Sequence, residues 1–294
     1  MKLKQLSSIL SRVKLFDEPD YELEQYPTSS LLASKMIFEA HSNYDDIEDR
    51  DVADFGCGTC MLSLAAVRPS HTTTIIPLYH HSFISHTYKQ AAMGAKSVTG
   101  FEIDESAISV AKENIESLEL DVSVVSCDIS EMGECILMEE DPPKKFDTIV
   151  MNPPFGTRVK GIDMTFLRKA IASCERAVYT MHKTSTRLHV QKTAASCGAL
   201  ATVIAKLRFD VPKMYAFHTE KSKDVEVDLW RVVPNADKTA IECALEKTIA
   251  ALRLEKKERA ERERNRARHG KGSTSTRNKG KGGGGGGKSR RRRR

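Results

Sequence analysis

The chain has 294 residues, 40% of them hydrophobic and 29% charged, which suits one sizeable domain with extensions or two small ones. No apolar run approaches the roughly 20 residues of a membrane span, and the opening MKLKQLSSIL lacks the apolar stretch of a secretory signal, so no membrane association and no export are expected. The net charge of +6 hides an asymmetry: Lys256 to Arg294 carries 17 Lys/Arg against 3 Asp/Glu, leaving 29 basic and 37 acidic residues elsewhere, the pattern of a catalytic body with a tail that meets a polyanion.

In chain order, residues 3 to 16 form a short amphipathic piece, followed by a polar joint at Pro19. Tyr26-Pro27-Thr28 opens a helix whose apolar residues Leu31, Leu32, Met36, Ile37 and Ala40 recur at helical spacing. Val52 to Phe55 reads as a short buried strand ending in glycines, and Ser97 to Ile103 as a second strand. Asp104 can cap the helix bearing Ala107, Ile108, Ala111, Ile115 and Leu118 on one face. Val122 to Val125 and Phe146 to Met151 are further strands. Met164 to Ala177, Val178 to Met181 and Thr184 to Cys197 continue as helix, strand and helix. Ala201 to Phe209 and Val225 to Val233, joined without a crossover helix, predict an antiparallel pair.

This alternation predicts an α/β fold: a Rossmann-like, seven-stranded, mostly parallel sheet with a terminal antiparallel strand, covered on both faces. The folded body is expected over residues 1 to 233. Residues 234 to 294 are expected as a basic tail, with a helix over Ala240 to Arg268 and a Gly/Lys/Arg-rich segment too poor in apolar residues to fold alone.

Arg68 to Gln90 interrupts the pattern. An acidic residue is expected about 20 residues after a nucleotide-binding glycine turn, and deleting this stretch restores such a spacing to Glu102. It reads as a lineage-specific loop or as retained intronic sequence, and its four histidines (His71, His80, His81, His86) lack the acidic or cysteine partners of a metal site. The seven cysteines are odd in number and scattered, which suits reduced thiols. Cys57 and Cys60 form a lone C-x-x-C, open to a zinc or redox reading, although the surrounding glycines favour a ligand loop.

Asp54-Phe55-Gly56-Cys57-Gly58 at a strand end can turn sharply and pass close to a ligand at a helix amino terminus. Alone, it marks any tight strand–helix turn. Glu102, at the end of the next strand, can accept both hydroxyls of a ribose, and Asp128, after the third, can meet an adenine amine. No G-x-x-x-x-G-K-[ST] loop is present, and Cys60 stands where a dinucleotide fingerprint wants glycine. S-adenosylmethionine, which has no pyrophosphate, suits the loop.

Asn152-Pro153-Pro154-Phe155 follows the fourth strand. Consecutive prolines cannot continue a central strand, so the backbone leaves the sheet at its carboxyl edge, where ligands of open α/β sheets bind. The Asn152 side-chain carbonyl and the Pro153 backbone carbonyl can accept hydrogens from one NH2 group, and Phe155 can stack on a base. Such a base must be unpaired or flipped.

QYPT (Gln25 to Thr28), NYDDIE (Asn43 to Glu48), ADFGCG (Ala53 to Gly58), GFEIDE (Gly100 to Glu105), CDI (Cys127 to Ile129), FDTIVMNPPFGT (Phe146 to Thr157), HKTSTRLHVQK (His182 to Lys192) and VEVDLWR (Val225 to Arg231) together resemble the eukaryotic methyltransferase-like protein five family. The resemblance spans roughly residues 1 to 233 outside Arg68–Gln90. It implies N6-methylation of one adenosine in small-subunit ribosomal RNA. It also implies a small zinc-binding methyltransferase activator subunit as heterodimer partner, and residence in the nucleus or nucleolus and the cytoplasm. By position it implies that Gln25 and Thr28 contact the cofactor, Gly56, Thr59 and Met61 line its methionine side, Glu102 holds its ribose, and Asp128 and Ile129 hold its adenine. Asn152 to Phe155 would hold the target base. Where the family reads GCGCG-V, this chain has Gly56-Cys57-Gly58-Thr59-Cys60-Met61, which brings bulk toward the methionine pocket.

Three other readings stand beside this one. A glutamine-amide methyltransferase also uses an Asn-Pro-Pro loop, but usually with Tyr in place of Phe155 and with a helical amino-terminal domain. A DNA adenine methyltransferase would want a recognition domain. A catalytically weak scaffold could tether RNA through the tail alone, and that tail would serve equally as a nuclear address.

Overall fold

The computed structural model of the chain describes residues 2–67, 93–134, 145–212 and 222–270. The Arg68–Gln90 stretch with its histidines, Cys135 and the tail from residue 271 lie outside them. The chain consists of two compact units, Met1–Thr248 and Ile249–Arg294.

Helices α1 (Leu3–Leu10) and α2 (Ser30–Ser42) precede β1 (Asp51–Phe55), α3 (Met61–Ala66), β2 (Ser97–Glu102), α4 (Glu105–Leu118), β3 (Ser123–Ser126), β4 (Phe146–Met151), α5 (Ile162–Ala172), β5 (Cys174–Lys183), α6 (Arg187–Ser196), β6 (Leu200–Pro212), β7 (Ser222–Val233) and α7 (Lys238–Gly270). The seven strands form one sheet in the order β3-β2-β1-β4-β5-β7-β6. β1 pairs in parallel with both β2 and β4, β3 extends one wing and β5 the other, and β7 runs antiparallel between β5 and β6. The antiparallel strand is thus last in the chain, while β6 takes the sheet's edge.

Alternation along the strands divides the core. Val52, Val98, Val150 and Tyr179 face α1, α2 and α3. Their neighbours Ala53, Phe55, Ile149 and Val178 face α5 and α6, where Phe101 packs edge-on against Phe55 and Phe146. Local chemistry sets the helix starts. Ser29 Oγ accepts the amide of Leu32, and Asp104 Oδ1 that of Ser106, so both act as N-caps.

Several boundaries differ from the sequence reading. Residues 174 to 177, read as the end of a helix, belong to β5: Cys174 and Ala177 are paired with β4, and α5 ends at Ala172. The residues Thr184 to Thr186 form a separate tight turn before α6. Leu31, placed on the buried face of α2, is 50% exposed. Cys57, Cys60, Cys174, Cys197 and Cys243 are free thiols, as expected, but Cys127 is disulfide-bonded. On either side of the atypical stretch, Val67 and Ala95 pair as a parallel bridge and the Ala95 amide donates to the Ala66 carbonyl at 3.0 Å. The end of α3 is thus joined directly to the residues that lead into β2.

Candidate active site

Strand order reverses between β1 and β4, so the loops leaving their carboxyl ends bound a crevice, the usual ligand position in an open α/β sheet. A cavity of about 330 Å³ lies there, within the range typical of small-molecule sites. All fourteen residues singled out from the sequence line it: Gln25, Thr28, Asp54, Gly56, Gly58, Thr59, Met61, Glu102, Asp128, Ile129 and Asn152 to Phe155.

The glycine loop is built on two left-handed turns. Gly56 sits at φ +68° and Gly58 at φ +53°, and the amides of Gly56 and Cys57 both donate to the Phe101 carbonyl at 2.9 Å. A Cβ on Gly58 would fall 2.8 Å from Phe16 Cζ, a residue of the amino-terminal segment. Glu102 closes the loop from below, accepting the amides of Gly58 (2.8 Å), Ile103 (3.0 Å) and Asp104 (3.1 Å). Burial pushes its carboxyl up against the pull of these three donors. Asp128 accepts the amide and hydroxyl of Ser130 at 2.8 and 2.7 Å, which turns the chain so that Ile129 packs inward.

Asp54 is fully buried. Its Oδ2 accepts the amide and hydroxyl of Ser63 at 3.0 and 2.7 Å, but its Oδ1 is buried with no hydrogen-bond partner. Burial first, opposed by the Ser63 bonds and reinforced by the Glu102 charge, raises its carboxyl to about 7. Asn152 repeats the pattern: Nδ2 donates to Thr28 Oγ1 at 3.0 Å, while Oδ1 is buried and unpartnered. The cavity therefore holds two orphaned acceptors, one suited to a cation and one to a neutral N–H. A buried acceptor without a donor costs about 1–3 kcal/mol, so both positions are shaped for a ligand that carries donors. S-adenosylmethionine fits: its ammonium suits Asp54, its ribose hydroxyls suit Glu102, and its adenine suits Asp128 and Ile129.

The amino-terminal segment roofs this cavity, and most of its fastenings were not legible in the sequence. Gln25 Nε2 donates to Asp104 Oδ2 at 2.7 Å, and Gln25 Oε1 accepts the Asp20 amide at 2.7 Å. Glu24, 6% exposed and at φ +54°, accepts the Phe155 amide on Oε2 at 3.0 Å and the Arg158 amide on Oε1 at 2.7 Å. Asn114 on α4 ties the same segment to the glycine loop, donating to the carbonyls of Lys14 (3.0 Å) and Thr59 (3.1 Å) and accepting the Lys14 amide (2.9 Å). Thr28 lines the cavity as expected, but the side-chain partner it shows is Asn152.

The Cys57 and Cys60 thiols are 3.7 Å apart, hydrogen-bonded rather than bridged; that bond and burial push the Cys57 thiol up. Cys60 occupies a left-handed position, φ +66°, a conformation that favours glycine. No group of three or more His, Cys, Asp or Glu able to hold a metal occurs among the described residues. Lys183, at the end of β5, lies 5.5 Å from the centre of the Phe155 ring. His182 is fully buried, its Nε2 3.1 Å from Thr180 Oγ1.

A Rossmann-like sheet with this cavity at its switch point defines an S-adenosylmethionine-dependent methyltransferase, and a methyltransferase-domain profile matches residues 48–230. Over 236 residues the chain is 42% identical to the rRNA N(6)-adenosine-methyltransferase METTL5 of Danio rerio, covering 80% of this chain and 100% of that protein. It is 39% identical to the Mettl5 enzyme of Drosophila melanogaster, over 79% of this chain and 96% of the relative. A crystal structure described as a candidate RNA methyltransferase from Pyrococcus horikoshii superposes with a TM-score of 0.61 at 28% identity, over 80% of this chain and 96% of that one. The chain belongs to the METTL5 family.

Proposed function

We propose that this chain methylates the N6 atom of an adenosine in ribosomal RNA, and that the RNA is that of the small subunit. The observation that carries the reading is the buried, unpartnered Oδ1 of Asn152, in a proline-stiffened loop that shares one cavity with Gly56 and Glu102. The rRNA specificity is supported by the activity that the METTL5 relatives are named for.

When bound, S-adenosylmethionine supplies a sulfonium-linked methyl group, which the amine nitrogen takes with departure of the neutral thioether and loss of one proton. The protein's part is positional. Asn152 Oδ1 and the Pro153 carbonyl accept the two amine hydrogens, which turns the nitrogen lone pair toward the methyl. Thr28 holds the other end of the Asn152 amide. Phe155 packs against the extruded base. No strong general base is needed, because the nitrogen acidifies as it is alkylated and its proton passes to water. Orientation of this kind supplies up to roughly 7–11 kcal/mol of barrier reduction.

Family kinship supports two further parts of the proposal: a small zinc-binding activator subunit as the heterodimer partner, and residence in the nucleus or nucleolus and the cytoplasm. The basic tail serves as an RNA tether or a nuclear address.

Nucleoside mass spectrometry of separated ribosomal subunits, from cells with and without the gene, tests the substrate. Loss of N6-methyladenosine from the small-subunit RNA alone is expected, and an unchanged nucleoside content refutes it. In protein purified with its activator subunit, Asn152→Ala should abolish transfer while retaining S-adenosylhomocysteine binding. Equal transfer by wild type and variant would refute the mechanism.

A further inference from the structure

Six large hydrophobic side chains are exposed among the described residues, and three of them, Leu23, Ile103 and Val159, line the active-site cavity. Ile103 follows Glu102 and belongs to the cofactor half. Leu23 and Val159 belong to the acceptor half, and they flank one bridge. Leu23 precedes Glu24, Val159 follows Arg158, and the Arg158 amide donates to Glu24 Oε1 at 2.7 Å. At 39% and 59% exposure, both meet water while also lining the pocket.

The same rim carries a flat cation. The Arg158 guanidinium lies 4.0 Å above the Tyr21 ring and is held in place by Glu22, to which both its Nε and its Nη2 donate. Its side chain still keeps 32% of its exposure. An aliphatic pair beside a stacked guanidinium matches the face of a nucleobase, which stacks on apolar, aromatic and Arg surfaces alike. A base gripped by Asn152 and Phe155 has left its own stack, so its neighbour along the strand presents an uncovered face at this mouth. Lys160, next in the chain and exposed, suits the intervening phosphate.

We propose that Leu23, Val159 and the exposed face of Arg158 form the subsite for the nucleotide adjoining the target adenosine. The inference rests on the RNA methylation proposed above and adds a base-stacking platform outside the acceptor pocket. Its specificity is for an unpaired neighbour rather than for a particular base, because every base offers such a face.

The test uses the full chain together with the activator subunit proposed above, and a short oligouridine carrying one central adenosine. Two companion oligonucleotides have an abasic ribose on the 5′ or the 3′ side of that adenosine. Steady-state transfer is compared for wild type, for the Leu23→Ser/Val159→Ser double variant and for Arg158→Lys, which keeps the charge and loses the plane. In wild type, one of the two abasic changes should lower kcat/KM roughly 5- to 150-fold, the range of one stacked base, and in the double variant the same change should cost less than about twofold. Tail contacts are equal in every comparison and cancel. An equal abasic penalty in wild type and double variant, or no penalty in wild type, overturns the platform and leaves RNA methylation standing. No transfer by wild type to the intact oligonucleotide, with ribosomal RNA also refused, overturns the underlying reading and the platform with it.

Discussion

Replacing Glu24 with Gln isolates what fastens the amino-terminal segment to the acceptor loop. The carboxylate is 6% exposed and its two oxygens take the amides of Phe155 and Arg158, on either side of Gly156 at φ +68°. Glutamine keeps the shape and one acceptor, but presents an NH2 group to the second amide. One charge-assisted hydrogen bond is lost, worth about 1.5–3 kcal/mol, and a buried N–H is stranded. Pro153 and Pro154 stiffen the loop, so the displacement is carried to Asn152 instead of being absorbed locally. If that energy is expressed in the transition state, kcat falls roughly 10- to 150-fold. The cofactor half is held separately, through Gln25 and Asp104, so the Kd for S-adenosylhomocysteine should stay within about threefold of wild type, well under the 1.4 kcal/mol of a tenfold change. The assay is single-turnover transfer per folded molecule, beside titration calorimetry and amide hydrogen exchange. Faster exchange at Phe155 and Arg158, with Val150 on β4 unchanged, should accompany the slower chemistry. A variant with a lowered melting temperature but wild-type turnover per folded molecule would refute the reasoning and reduce Glu24 to a stabilising contact.

Two further outcomes follow from the same cavity. Asp54 has a folded-state pKa of about 7, raised by burial above its unfolded value near 4, so its contribution to stability is fully present below about pH 4 and is lost as pH rises through about 7. Asp54→Asn should therefore melt no lower than wild type at pH 8. Affinity for S-adenosylhomocysteine, whose ammonium wants the ionised carboxylate, should rise from pH 6 to 8 in wild type and stay flat in the variant; a flat wild-type profile would dissociate Asp54 from the ligand. Gly100 on β2 has no room for a side chain, since an added Cβ would lie 2.8 Å from Cys57 Sγ and 3.1 Å from Cys57 Cβ. Gly100→Ala should cost about 1–3 kcal/mol in denaturant unfolding, and Cys57→Ala in the same chain should recover part of it. Additive losses would show that the two positions do not meet.

The sheet, its antiparallel strand, Asp54 to Gly58, Glu102, Asp128 and Asn152 to Phe155 were legible because each is written in local chemistry (glycines at a strand end, an acid ending the next strand, prolines that forbid a ladder), whereas Gln25, Thr28, Thr59, Met61 and Ile129 came only through the family resemblance. The misreadings have an equally local cause. Cys174 to Ala177 carries no polar alternation, and the sequence does not show that β4 lies alongside to pair with it. Glu24 and Arg158 were invisible for another reason. An isolated acid and an isolated cation in polar surroundings read as solvated surface, and only the closure of residues more than a hundred apart makes one a buried clamp and the other a stacked plane. Sequence motifs thus marked the groups whose chemistry is intrinsic to the residue type. The groups whose role comes from being held in place, Thr28 against Asn152 and Glu24 against Phe155, required the fold. In an enzyme whose catalysis is orientation rather than acid–base strength, those holding contacts set how often a correctly built pocket is also a correctly aimed one.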